Sequence, residues 1–220
     1  KKSGFRMNTF SVVIPTLWRC NETLESIRHL VHNPHVSEII IIDNDRQQTP
    51  EHDKILLSDR VKLVTPHSNL YVGESWNLGT RMAKENLICL LSDDVVLHDN
   101  VLVRVQTLNF NEIGVLGLSE GAVSEHADID YPIKILPTDH RTHGYGVCMF
   151  YHRKHYVNIP SKLKIFFTDD WIFAAVRKHS GKANYILDCS IRGRMSVTSQ
   201  SFNYMFHSDG EAFAELMRDF

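Results

Sequence analysis

Cysteine is scarce in this chain, and the four that occur, Cys20, Cys89, Cys148 and Cys189, lie far apart and form no CxxC pair. That spacing argues against a disulfide framework. Cys89 and Cys148 fall in apolar runs, where buried free thiols are the usual occupants. A reducing, cytoplasmic setting is therefore expected over a secretory one. No apolar run approaches the roughly 20 residues of a transmembrane helix, and no signal-peptide pattern is visible, so no membrane span is expected. Charge of one sign is lacking too: 24 basic residues stand against 26 acidic ones in 220. That balance argues against a general attraction to nucleic acid or to an anionic membrane. Internal repeats and low-complexity tracts are also missing. What remains, 43% hydrophobic and 23% charged, is the composition of an ordinary globular α/β domain. Lys1 to Arg6, ahead of Met7, read as residues added before a native start, leaving 7–220 as one expected domain.

The most informative stretch present is Leu87 to Leu97, LICLLSDDVVL, an apolar run of strand length that ends in two carboxylates. A buried strand would carry Asp93 and Asp94 to the rim of a sheet, where ligands of α/β proteins gather. Adjacent acids repel one another unless a cation compensates them, and a hard divalent ion with phosphate oxygens in its shell suits them. Taken alone, the motif also fits a solvated turn.

Other segments repeat the pattern. Phe10 to Ile14 is an expected strand stopped by Pro15, followed by the loop Thr16 to Arg19. Asn21 reads as the cap of a helix through Leu24, Ile27, Leu30 and Val31, closed by Pro34. Ile39 to Ile42 is a buried strand ending in Asp43-Asn44-Asp45, and Val61 to Val64 is a third. Strands alternating with helices predict an open, mostly parallel sheet with helices on both faces. Gly73 to Lys84 reads as a helix, Asp99-Asn100 as the cap of another, and Ile113 to Leu118 as a strand. From Ser119 to His143 the pattern dissolves, which marks a lid or an irregular loop. Strand character returns at Gly144 to Tyr151. Thr168 reads as a helix cap with Asp169 and Asp170 favoured by the first-turn dipole, Tyr185 to Cys189 as a last strand and Asp209 to Phe220 as a last helix.

Five segments in this order resemble one family: FSVVIPT at 10–16, the isoleucine-rich strand ending in Asp43-Asn44-Asp45, NLYVGESWNLG at 69–79, LSDDV at 91–95, and TDDW at 168–171. Together they resemble the family-2-type inverting glycosyltransferases of GT-A fold, over roughly Phe10 to Cys189. A fainter similarity, carried by no motif, is to capsid-glycan glycosyltransferase domains of chlorella viruses. The resemblance implies a nucleotide-binding half at 10–94, an acceptor-binding half at 95–220, a UDP-sugar or TDP-sugar donor, a hydroxyl acceptor and Mn2+ or Mg2+. It implies that Asp43 reads the base, accepting N3–H of uracil, and that Pro15, Thr16, Leu17 and Arg19 border base and ribose. The family often has an aromatic residue at Leu17, and Trp18 can supply that surface instead. Asn77 and Arg81 match a helix flanking the nucleotide. At the metal motif Ser92 replaces the first acid, which leaves Asp94 as the principal metal ligand, Asp93 on the ribose or a metal-bound water, and Ser92 on the ribose. His207 is the candidate for a further metal ligand.

For chemistry, the resemblance makes Asp170 the base that takes the acceptor proton, with Asp169 beside it on acceptor or sugar. Single displacement with such a base gives inversion. His143, Tyr145 and Trp171 are expected to shape the acceptor pocket. Two other classes stay open at this point. A sugar nucleotidyltransferase would carry a glycine-rich basic loop, whereas Pro15 to Arg19 has no glycine and one base. A non-catalytic nucleotide- or carbohydrate-binding module would need neither Asp94 nor Asp170.

Overall fold

The computed structural model describes residues 9–50, 53–195 and 199–220; Lys1 to Arg6 and Met7 lie outside them. In chain order the elements are β1 (Phe10–Thr16), α1 (Asn21–His32), β2 (Val36–Asp43), β3 (Val61–Val64), α2 (Tyr71–Met82), β4 (Leu87–Leu91), β5 (Val95–Val96) and α3 (Asp99–Val105). There follow β6 (Ile113–Leu118), β7 (Val123–Ser124), β8 (Lys134–Thr138), β9 (Cys148–His152), α4 (Thr168–Ser180), β10 (Ala183–Asp188), β11 (Ile191–Gly193) and α5 (Phe206–Arg218).

Among the described residues eight strands form one sheet in the order β3-β2-β1-β4-β9-β6-β10-β8, and β5-β11-β7 form a small second sheet. The neighbours β3, β2, β1 and β4 are parallel, as are β6 and β10; β9 and β8 are antiparallel to the strands they touch. The expected mostly parallel sheet with helices on both faces is what the chain forms. Because side chains alternate along a strand, Val12, Ile14, Ile39 and Ile41 join one core with Ile27, Leu30, Val101 and Leu102 of α1 and α3. Val13, Ile40 and Ile42 join a second core with Trp76 of α2 and with Ile172, Phe173 and Val176 of α4. Each face of the sheet is thereby covered by helices, which accounts for strands that read as unbroken isoleucine and valine.

Several expected boundaries shift for local reasons. Pro15 does not stop β1, which continues through the register pairs Pro15↔Ile42 and Thr16↔Asp43; pairing with β4 has already ended at Val13↔Leu90, so no ladder partner misses the proline N–H. Asn21 is the first helical residue of α1 rather than its cap, which is Cys20. Likewise His98, not Asp99 or Asn100, occupies the cap position of α3. The Ser119–His143 stretch is not wholly irregular: it contributes β7 and the edge strand β8, which pairs antiparallel with β10 from Asn184↔Thr138 to Asp188↔Lys134. All four cysteines are buried, and none is in a disulfide. Among the described residues no helix is long and apolar enough to cross a membrane.

Candidate active site

The parallel strands β1, β2 and β4 end at one edge of the sheet, and their last residues build one wall of a cavity of about 390 Å³. Thr16, 2% exposed, organises this wall. Its Oγ1 accepts from the Trp18 N–H at 2.8 Å and donates to Asp93 Oδ2 at 2.7 Å. The turn that bears the acids is tied down on both sides. Thr23 Oγ1 of α1 donates to the Asp93 carbonyl at 2.9 Å, the Arg194 N–H donates to the Asp94 carbonyl at 3.0 Å, and the Ser92 N–H donates to the Val147 carbonyl at 2.8 Å. Gly193 is required there, since a Cβ would stand 2.6 Å from the Asp94 carbonyl oxygen. Asp93 and Asp94 are both buried and both line the cavity, together with Pro15, Thr16, Leu17 and Ser92.

Asp43 lies just behind this wall at 1% exposure. Its Oδ1 accepts from Trp18 Nε1 at 2.9 Å and from the Asp45 N–H at 3.2 Å, and its Oδ2 accepts from the Thr49 hydroxyl. Asn44 lines the cavity in its place, fixed by Ser75 and by the Leu70 N–H.

A second part of the lining comes from the loop 139–147 and the start of α4. Phe167 adopts a left-handed φ of 61° immediately before the helix and occupies the cap position expected of Thr168. Thr168 is instead the first helical residue, and its hydroxyl bonds back to the Ile165 carbonyl at 3.0 Å. The preceding loop is held from outside the sheet. Asp209 of α5, 2% exposed, accepts the backbone N–H groups of Lys164, Ile165 and Phe166 on one oxygen at 3.2, 2.8 and 2.9 Å. The Lys164 carbonyl in turn accepts from Val72 and Gly73 at the start of α2, both at 2.9 Å.

Asp169 and Asp170 reach the cavity from the first turn of α4. Gly146 lets Asp169 in, because a Cβ there would stand 2.6 Å from the Asp169 Cβ. Arg141 bridges the two acids: Nε donates to Asp170 Oδ1 at 2.6 Å and Nη1 to Asp169 Oδ2 at 3.2 Å. Burial is the largest influence on the Asp169 carboxyl and pushes its pKa up; Arg141 opposes that and Asp170 reinforces it, with a net rise.

Of the residues expected at the site, Pro15, Thr16, Leu17, Ser92, Asp93, Asp94, His143, Asp169 and Asp170 line this one cavity. Others are placed elsewhere. Tyr145 is fully buried and its hydroxyl donates to the Val115 and Tyr185 carbonyls, so it holds the core rather than an acceptor. Trp171 turns its Nε1–H to the Asn158 carbonyl and its ring to Phe220. Asn77 braces the 156–159 segment, accepting from the Ile159 N–H and Tyr156 hydroxyl and donating to the Ile159 carbonyl. Arg81 pairs with Glu74. Exposed Arg19 stands over the Phe202 ring, 5.9 Å from its centre, at the cavity rim. His207 is exposed on α5, 3.1 Å from Glu211, because its neighbour Phe206 is the residue turned to the cavity. It is not brought to the acids.

Sequence reasoning missed Arg141. It also missed the aromatic rim of Tyr71, Phe166, Phe202 and Phe206. The Arg141 bridge spans 28 and 29 residues, and no local pattern announces it.

Oxygen donors alone face the cavity at the β4 turn, which is the chemistry of a hard divalent cation. Among the described residues no group of three His, Cys, Asp or Glu side chains is arranged as a ready-made metal cage. One or two carboxylates completed by substrate phosphates are the ordinary provision for Mg2+ at phosphate sites, so the donor set fits such an ion.

The sheet order, with the cavity at the carboxyl edge of its parallel strands, and the likeness to solved structures define the class: the GT-A fold. Residues 11–117 match the family described as Glycosyl transferase family 2. Residues 1–349 of Staphylococcus aureus TarS are similar at a TM-score of 0.57 and 14% identity, covering 86% of this chain and 61% of that one. The same TarS fragment in complex with UDP-GlcNAc gives 0.59 and 16%, covering 83% and 56%. The mannosyltransferase PcManGT from Pyrobaculum calidifontis, in complex with GDP-Man and Mn2+, gives 0.52 and 14%, covering 77% and 53%. The chain thus spans less than two thirds of these structures. No curated protein matches the sequence.

Proposed function

We propose that the chain transfers a sugar from a nucleoside-diphosphate donor to a hydroxyl of a glycan or other acceptor, with inversion at the anomeric carbon. The donor is a UDP-sugar, with a TDP-sugar as the near variant. One observation carries the reading: acids from the end of β4 and from the head of α4 face the same cavity. Transfer between two oxygens needs charge compensation at the departing diphosphate and a proton acceptor at the incoming hydroxyl, and the two walls are suited to one task each.

Pro15, Thr16 and Leu17 border base and ribose, and Ser92 and Asp93 meet the ribose. Asp43 reads uracil by exchanging one N–H donor, that of Trp18, for another, N3–H of the base. That exchange keeps the number of hydrogen bonds and turns the indole free as a stacking surface. The structures of TarS with UDP-GlcNAc and of PcManGT with GDP-Man support a nucleotide-sugar here, and the first supports uridine. Asp94, with Asp93, would hold Mn2+ or Mg2+, which when bound offsets charge on the leaving diphosphate. Asp170 takes the proton of the acceptor hydroxyl as that oxygen attacks C1 from the face opposite the leaving group, so the configuration inverts. Asp169 and His143 orient the acceptor or the sugar.

The test is a panel of UDP-, TDP- and GDP-sugars, with and without Mn2+, scored for nucleotide release and for the anomeric configuration of the product. Mn2+-dependent release that is fastest with a UDP-sugar, with an inverted product, is expected. Retention of configuration, or no release from any donor, sinks the reading.

A further inference from the structure

Arg141 is the one cation bonded to both α4 acids among the described residues, and its guanidinium is divided between them. We propose that Arg141 is a positioning residue for sugar transfer, holding Asp170 by one oxygen and leaving the other oxygen to meet the acceptor hydroxyl. This rests on the assignment of Asp170 as the base.

The geometry is specific. Nε lies 2.6 Å from Asp170 Oδ1, while Nη1 lies 3.2 Å from Asp169 Oδ2 and 3.0 Å from the Thr142 carbonyl. A guanidinium that forks onto a single carboxylate occupies both of its oxygens. Here each acid gives up one oxygen to Arg141, so the arrangement fixes two carboxylates and blocks neither. The bridge is itself anchored. Its third bond runs to its own loop, and that loop is fastened to the end of β6 by Thr142 Oγ1, which donates to the Leu118 carbonyl at 2.7 Å. Gly144 then turns the chain at a φ of 81°, a conformation that side-chain-bearing residues rarely adopt. From the other side, Gly146 packs directly on Asp169.

Electrostatics make the bridge necessary as well as possible. Two adjacent carboxylates with side-chain exposures of 18% and 23% tend to share a proton, which would disable a base. The other titratable groups that line the same cavity are His143 on the same loop and Asp93 and Asp94 of the β4 turn. Arg177, about two turns further along α4, faces Asp139 instead. Arg141 is thus the cation that opposes the upward push of burial and of Asp170 on the Asp169 carboxyl. With Arg141 removed, the Asp169 carboxyl loses that opposition and holds its proton to higher pH, beside the proposed base.

The experiment compares wild type, Arg141→Gln and Arg141→Lys by two readouts. One is the titration of the aspartate side-chain carbonyl carbons by NMR; the other is the pH profile of single-turnover transfer, alongside donor affinity. Arg141→Gln is expected to raise the titration of the α4 acids and to move the acidic limb of the rate profile to higher pH. At neutral pH its rate should fall by about 10²-fold, in the range a positioned base supplies, with donor affinity kept within about threefold. Arg141→Lys should restore part of the limb. An unmoved carboxyl titration overturns the proposal, as does a loss of donor affinity with the acidic limb in place, which would make Arg141 a phosphate ligand. A titration that shifts in a protein that transfers no sugar from any donor leaves the bridge standing and sinks the glycosyltransferase reading instead.

Discussion

Asp93, Asp94, Asp169 and Asp170 are chemically alike, and their surroundings differ. Asp93 is tied through Oδ2 to Thr16, and its backbone is pinned by Thr23, so it is a fixed part of the wall. Asp94 follows at the end of the same turn and matches the final acid of the family's metal motif. Asp94→Asn is therefore expected to remove the dependence of UDP binding on Mn2+ while the fold is kept, and titration calorimetry with and without the ion checks it. An unchanged Mn2+ effect takes Asp94 off the metal. At the base site, Asp43→Ala should weaken UDP more than CDP, since only uracil offers N3–H to a carboxylate; equal losses would reduce Asp43 to a support for Trp18. On the acceptor side, Asp170→Asn should keep donor affinity and lose roughly 10²–10⁴ in transfer rate, because the amide preserves shape but accepts no proton. Asp169→Asn should be milder. If Asp169→Asn is the inactive variant, the roles of the two acids are exchanged.

At the scale of elements, α5 carries more than its place in the chain suggests. Its Asp209 collects three consecutive backbone N–H groups of the loop that leads into α4, and the same loop caps the start of α2 through the Lys164 carbonyl. Asp209→Ala would leave those donors without their acceptor, and a loss of about 2–4 kcal/mol in unfolding free energy is expected, measurable by urea denaturation. A variant as stable as wild type would show that water replaces the carboxylate at no cost. This contact was not legible beforehand, since nothing near Asp209 announces residues 43 to 45 positions away. The strands that support the site were legible. Ile39 to Ile42 and Leu87 to Leu91 are continuous apolar runs because helices bury both faces, and the acids that end them mark the carboxyl edge. By contrast β8, Lys134–Thr138, is an exposed edge strand containing Pro137, with no periodicity to betray it. The placement of β9 between β4 and β6 is a long-range pairing that strand order along the chain does not fix. His207 lies outside the cavity for a simpler reason: one residue along a helix turns a side chain by about 100°, and Phe206 took the cavity-facing position.

For the whole molecule, the cavity is where distant parts of the chain meet. Its walls include Pro15 to Leu17, Asn44, Ser92 to Asp94, Arg141, His143, Gly144, Gly146, Val147, Ile165 to Asp170, and Ser199, Phe202 and Phe206 near the end. A donor seated there touches segments that the unfolded chain does not hold together, so binding must favour the folded state. At a hundredfold excess over its dissociation constant a ligand adds about 2.7 kcal/mol. For a chain of this size each kcal/mol moves the melting midpoint by about 2–4 °C, so UDP with Mn2+ should raise it by about 5–10 °C. The gain should shrink without the ion and with GDP in place of UDP. Two variants sharpen the expectation. Asp94→Asn should lose the Mn2+-dependent part of the shift, and Asp170→Asn should keep all of it, because proton transfer contributes nothing to ground-state binding. Scanning calorimetry of the three proteins, with each nucleotide in the presence and absence of Mn2+, decides the point. A shift that Asp170→Asn loses and Asp94→Asn keeps would place the nucleotide against α4 rather than against the end of β4, and the two walls would have to exchange their tasks.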